Sequence, residues 1–141
     1  MHAMTDRTRL QLSLLLLRLG VFIVMAIWTI DKFANPSHAA GIFEKFYAIP
    51  GVGSMLVWGL GILEGVLIIA FVAGLRKRLT YGLVMVLHGV STFSAFRQYL
   101  TPFEGTHLLF FAAWPMLAAC IALYLLRDQD RMLSFTSAQR S

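Results

Sequence analysis

Apolar residues fall along this chain in four runs, about Leu10 to Ile30, Ser54 to Leu75, Leu79 to Phe96 and Thr106 to Leu126. Leu, Ile, Val, Phe, Ala and Gly fill all four without period-two alternation, so each run predicts a helix and argues against a β-barrel. A bilayer core of about 30 Å takes roughly 20 helical residues, which all four runs approach, the third at the low end. The expectation is all-α: an integral membrane antiparallel four-helix bundle forming a single transmembrane domain over residues 1–141, with helices at about 10–30, 54–75, 79–96 and 106–126.

Polar residues between the runs predict how they connect. Arg76-Lys77-Arg78 is so short a link that helices two and three must be antiparallel neighbours. The outer loop, 31–53, is the one long connection. Within it Ile42, Phe43, Phe46, Tyr47 and Ile49 share one helical face opposite Glu44 and Lys45, which predicts a short interfacial helix closed by Pro50-Gly51. A lid over the bundle end and a substrate gate both fit that helix. Arg7 and Arg9 before a leucine run resemble the start of a signal peptide. Arg18 interrupts the run, however, and no small-residue cleavage site follows, so the first helix is expected to be retained.

Composition sharpens the class. The chain is 58% hydrophobic and 13% charged, with a mean hydropathy of +0.72, against about 45–50% and 25% for soluble domains. A small soluble domain buries too little surface to hide so much apolar side chain, which excludes a soluble enzyme, a disordered chain and a disulfide scaffold. The net charge of +5 comes without the basic stripe of a nucleic-acid binder. Arg7, Arg9, Arg76, Lys77, Arg78, Arg127, Arg131 and Arg140 fall on the side of both termini, and only Lys32, Lys45 and Arg97 on the other. The positive-inside rule puts both ends in the cytoplasm.

Ionisable residues within the runs supply the candidate chemistry, since such groups are costly in lipid and face a partner or a cavity. Counted from the cytoplasmic ends, Arg18 lies roughly 12 Å in, Glu64 roughly 16 Å and His88 roughly 14 Å. The three are expected to meet at one level, with an Arg18–Glu64 ion pair and His88 as third partner. Arg18, Glu64 and His88 are thus the ligand-binding or proton-exchange candidates. A pair that only fixes helix register is the competing reading. Gly61 and Gly65 form a G-x-x-x-G step for close helix approach.

Asp31, Lys32 and His107 are the outer-face candidates, with His107 expected near Asp31, Lys32, Arg97 or Glu104. No metal site is expected: His107 stands roughly 10 Å above His88, too far for paired axial ligands, and His38 and His2 fall in the loop and the tail. Cys120 has no cysteine or histidine at metal or redox spacing. Pro115 is expected to kink the fourth helix. Trp28, Trp58 and Tyr99 fit an outer aromatic belt.

Three segments carry a resemblance to a known family: "LLLRLGVFIVMAIWTIDKF" (Leu15 to Phe33), "FYAIPG" in the loop, and "WGLGILEGVLIIAFVAGLRKRLTYG" with its mid-helix glutamate and basic turn. Over roughly residues 10–127 the chain resembles the DoxX/DoxD-like family of small four-helix membrane proteins. The family's arginine, helix-one lysine and helix-two glutamate correspond to Arg18, Lys32 and Glu64. The chain departs from the family's pattern at Thr29-Ile30-Asp31 and in its ending, "RDQDRMLS".

The resemblance implies a membrane accessory subunit of a redox complex, at most the membrane subunit of a quinone-linked oxidoreductase. Of cofactors, a quinone-like or lipidic ligand beside the charged cluster is the one that fits. A carboxylate and an imidazole can exchange protons there while an arginine steadies the carboxylate. The partners this implies are the lipid bilayer, a redox protein and, as an open alternative, further copies of the chain. A structural scaffold or assembly protein and a small-solute or proton transporter are the rival readings.

Overall fold

The chain was described as a computed structural model covering residues 3–51 and 53–135. Arg140, which entered the charge count, and His2 lie outside the described residues. The described chain is all-α, with six helices, two short 3-10 segments and no strand. Helix α1 spans Asp6–Ala34, α2 Pro36–Tyr47, α3 Ser54–Val72, α4 Lys77–Ser94, α5 Phe96–Leu100 and α6 Ala113–Leu125.

Helix α1 is one turn longer at each end than its apolar run. At its start the Thr5 side chain accepts from the Thr8 N–H and Asp6 occupies the first turn, a cap worth about 1 kcal/mol. At its end Asp31 and Lys32 remain helical, and the chain breaks at Asn35, the residue before Pro36, where the helical conformation is disfavoured. Pro36 then opens α2, a position where its missing N–H costs nothing. The interfacial helix therefore starts earlier than its apolar face suggested and stops at Tyr47, leaving Ile49 outside. The face itself is as expected: Ile42, Phe43, Phe46 and Tyr47 are half-buried while Glu44 and Lys45 are exposed.

Three helical stretches are long and apolar enough to cross a membrane: Asp6–Ala34, Ser54–Val72 and His107–Leu125. Helix α4 has 18 residues but carries Lys77, Arg78, Thr80, Tyr81, His88, Ser91, Thr92 and Ser94. Pro115 does not kink a continuous helix. Residues His107–Ala112 are 3-10, and the α-helix begins only at Ala113, so Pro115 sits in its first turn, where no N–H is needed.

Helix α1 packs on α3 and α6, and α4 packs on the same two, closing a ring of four. Thr29 opposes Gly65 and Lys32 opposes Gly61, so α1 and α3 run antiparallel; Gly82 opposes Tyr124 and Gly89 opposes Leu117, so α4 and α6 do too. A Cβ on Gly61 would stand 2.9 Å from the Phe33 ring and 3.4 Å from the Lys32 Cβ. The G-x-x-x-G step thus does what its spacing implies and lets α1 lie close on α3.

Leu14, Val21 and Met25 of α1 meet Ile68 and Phe71 of α3, Tyr81 and Val84 of α4, and Cys120 and Leu123 of α6 in one core. That core is thin. In the apolar windows of the three spans only 22%, 22% and 17% of residues are buried. Leu16, Ile23, Ile27, Ile62, Leu63, Val66, Ile69 and Ile121 all point outward. An apolar belt of this extent is far larger than the patches a soluble monomer exposes, and it identifies a membrane protein.

Candidate functional site

The three residues expected to meet at one level do not meet. Arg18, Glu64 and His88 occupy three separate places, each with its own partners.

Arg18 is fully buried at the end of the bundle where α3 stops and α4 begins. Its Nη1 donates to Asp130 Oδ2 at 3.2 Å and to the Tyr81 hydroxyl at 3.3 Å. Its Nη2 donates to the carbonyls of Met132 at 2.5 Å and Leu133 at 3.2 Å. Asp130 is equally buried, and its Oδ2 also accepts from the Tyr81 hydroxyl at 2.5 Å. The partner of Arg18 is therefore Asp130, brought in by a segment that folds back across the bundle end after α6.

Several residues hold that segment. Lys77 Nζ donates to the Asp130 carbonyl. Gln11 Oε1 accepts from the Arg131 and Met132 N–H groups, at 2.9 and 3.0 Å, and Gln11 Nε2 donates to the Gln129 carbonyl. The Phe135 N–H donates to the Ala73 carbonyl at 3.0 Å. Gly74 has a φ of +74°, and a Cβ there would collide with Ser134, so glycine serves both the left-handed turn and the close approach. The fit is incomplete at three atoms: Arg18 Nε, Asp130 Oδ1 and Ser134 Oγ are buried without a hydrogen-bond partner among the described residues.

Glu64 pairs with Lys32 instead. Its Oε2 lies 3.0 Å from Lys32 Nζ, and its Oε1 accepts from the Thr29 hydroxyl at 2.7 Å. The side chains are 14% and 16% exposed, so this pair is shielded but not sealed. Fourteen residues of α1 separate Arg18 from Lys32, about 21 Å along the axis. His88 Nε2 lies 3.0 Å from the Ala113 carbonyl, where the 3-10 segment passes into α6.

The outer-face candidates also separate. Asp31 Oδ2 lies 2.6 Å from His38 Nδ1, at the corner between α1 and α2. His107 lies beside Glu104, one of its expected neighbours, donating its backbone N–H to the Glu104 carbonyl at 3.0 Å. Its Nδ1 stands 2.8 Å from the Thr101 carbonyl and 3.0 Å from the Thr101 hydroxyl. Helix α2 contacts α1, α3 and α4, and the Tyr47 hydroxyl meets Ser91 Oγ at 2.9 Å. Among the described residues no group of three or more His, Cys, Asp or Glu side chains is placed to hold a metal ion.

The residues that sequence reasoning missed are Asp130 and Gln11. One signal was present: two acids in "RDQD" directly after the last apolar run, in a stretch otherwise basic. Chemically, the Arg18 cluster is a closed clasp, while Lys32, Glu64 and Thr29 present a donor and an acceptor with partial access. No protein-family model, curated protein or solved structure matches this chain.

Proposed function

We propose that the chain crosses the inner membrane four times with both ends in the cytoplasm. In this reading it serves a partner redox enzyme as a small accessory subunit, as its resemblance to the DoxX/DoxD-like family implies. Helix α4 is the fourth span. Its polar Thr80, Tyr81 and Thr92 are buried in the bundle, whereas Leu79, Leu83, Val86, Leu87, Val90 and Phe93 are exposed. Three of the polar residues that lower its hydropathy are thus turned away from lipid.

The observation that carries a ligand-holding role is the Lys32–Glu64–Thr29 cluster, an ion pair within apolar helices left partly accessible. It narrows the candidates. Arg18 is occupied by Asp130 and His88 by a backbone carbonyl, leaving Glu64 and Lys32. A quinone supplies the coupled electron and proton chemistry that these side chains lack. Lys32 Nζ is a donor for a carbonyl, and the Glu64 carboxylate an acceptor for a hydroxyl proton.

The test is binding of a short-chain quinone to the purified full-length protein in detergent, with Glu64→Gln and Lys32→Met alongside. Saturable micromolar binding, weakened at least about tenfold by each change in folded protein, is the expected result. Absence of wild-type binding removes the quinone site. The scaffold reading then leads, favoured by the sealed Arg18–Asp130 clasp, whose groups are spent on holding the fold together.

A further inference from the structure

On the cytoplasmic side of the bundle, the α3–α4 turn and α6 border a wide-open cleft of about 530 Å³ lined by Arg76, Lys77, Arg78, Leu79 and Tyr124. A second hollow of about 300 Å³ shares Arg78, Leu79 and Tyr124 and continues along α4 past Gly82, Leu83, Met85 and Val86. The first is rimmed by cations and the second by apolar side chains. They meet at Tyr124. We infer that this cleft and groove are the binding site of one anionic phospholipid, its phosphate among the basic residues and an acyl chain along α4.

Charge argues for the headgroup. The guanidinium groups of Arg76 and Arg78 make no hydrogen bond or ion pair among the described residues, and both residues are exposed. Arg127 adds a fourth cation, stacked 4.4 Å over the Tyr124 ring and bonded to the Tyr124 carbonyl. Of the acids whose charge reaches Lys77, Asp130 is paired with Arg18 and only Asp128 remains. Basic pockets between helices at the cytoplasmic face are suited to anionic lipid headgroups. Arg76 also holds a left-handed backbone, φ 44°, which is costly for any residue but glycine.

Shape argues for the chain. Gly82 faces the edge of the Tyr124 ring, where even a Cβ would come within 3.4 Å. The missing side chain lets that ring lie close on α4, and the slot runs beside it along exposed Leu79, Leu83 and Val86. A soluble phosphate would use the cations and leave this apolar slot empty. A phospholipid fills both, which fixes the choice of ligand.

The proposal rests on the membrane reading above. Its test uses full-length protein extracted in mild detergent and native mass spectrometry with added phosphatidylglycerol or phosphatidylcholine. Phosphatidylglycerol is expected to be retained at least about tenfold better. Arg76→Gln/Arg78→Gln is expected to cut that retention about 25-fold, roughly fivefold per cation, without loss of fold since both side chains are exposed. Val86→Gln, which makes the exposed slot polar and keeps the charge, is expected to lower retention as well.

Equal retention of the two lipids overturns the site. So does an equal loss in Arg7→Gln/Arg9→Gln, which would mean diffuse attraction, and so does displacement by glycerol phosphate as readily as by the lipid. Carbonate extraction of native membranes separates the two failures. A chain that washes off sinks the membrane reading itself, whereas one that stays but shows no lipid preference sinks only the site.

Discussion

Replacing Asp130 with asparagine keeps the side chain's size and removes its charge, leaving Arg18 buried without a counter-ion. Asp130 Oδ2 accepts from both Arg18 Nη1 and the Tyr81 hydroxyl, and neither Arg18 nor Asp130 reaches solvent. Breaking a buried pair by removing one partner costs about 3–5 kcal/mol. Arg18 retains the Met132 and Leu133 carbonyls, so Asp130→Asn belongs at the low end, about 3 kcal/mol, or roughly a hundredfold in the folding equilibrium. Arg18→Met strands the carboxylate and belongs at the same end or above. The double variant strands neither charge, so its cost should fall short of the sum of the singles by about 2–3 kcal/mol. The assay is reversible unfolding of the full-length chain in mixed micelles, followed by far-UV circular dichroism. Additive costs within about 0.5 kcal/mol, or an Asp130→Asn protein as stable as wild type, would refute the clasp.

Three further outcomes follow from the same structure. Gly74→Ala sets a Cβ against Ser134 at a left-handed backbone position and should cost more than about 1 kcal/mol; an unchanged melting temperature would mean the C-terminal segment does not pack there. Gly61→Leu drives into the Phe33 ring and should destabilise by about 1–3 kcal/mol, while Gly20→Leu, with open space around its Cβ position, should cost much less. Cys120 is 2% exposed, so maleimide should label it only after denaturation; rapid labelling of folded protein would contradict the α6 packing.

Much of the architecture was legible in the chain because lipid imposes a simple rule. A helix crossing apolar surroundings satisfies its backbone internally and needs about 20 apolar residues, so the four runs mark four helices, three of them within about four residues of their observed ends and the fourth with its first six residues in a 3-10 segment. The amphipathic face of α2 and the close approach at Gly61 and Gly65 were legible for a similar reason. Both are properties of a single helix at known spacing.

The ends of α1 were less so. Thr5, Asp6, Asp31 and Lys32 are polar but helical, and a search for apolar runs stops short of them.

The partners of the buried charges were decided by tertiary structure alone. The depth argument set Arg18, Glu64 and His88 level by starting every helix at the same plane. Helix α1 has 29 residues and α4 has 18, about 43 Å against 27 Å, so one end of α1 projects well beyond its neighbours. Arg18 lies near the middle of α1 yet level with the bundle end, beside Tyr81 in the second turn of α4 and a segment beyond α6, while Glu64 lies toward the other end, beside Lys32. The sequence determines that a buried arginine must find an acid or carbonyls, because an unpaired charge in a low-dielectric interior is too costly to keep. Which acid it finds depends on the relative slide of the helices and on a return of the chain after the last apolar run. Those are set by packing among distant residues, such as Gly74 against Ser134, that no local pattern encodes.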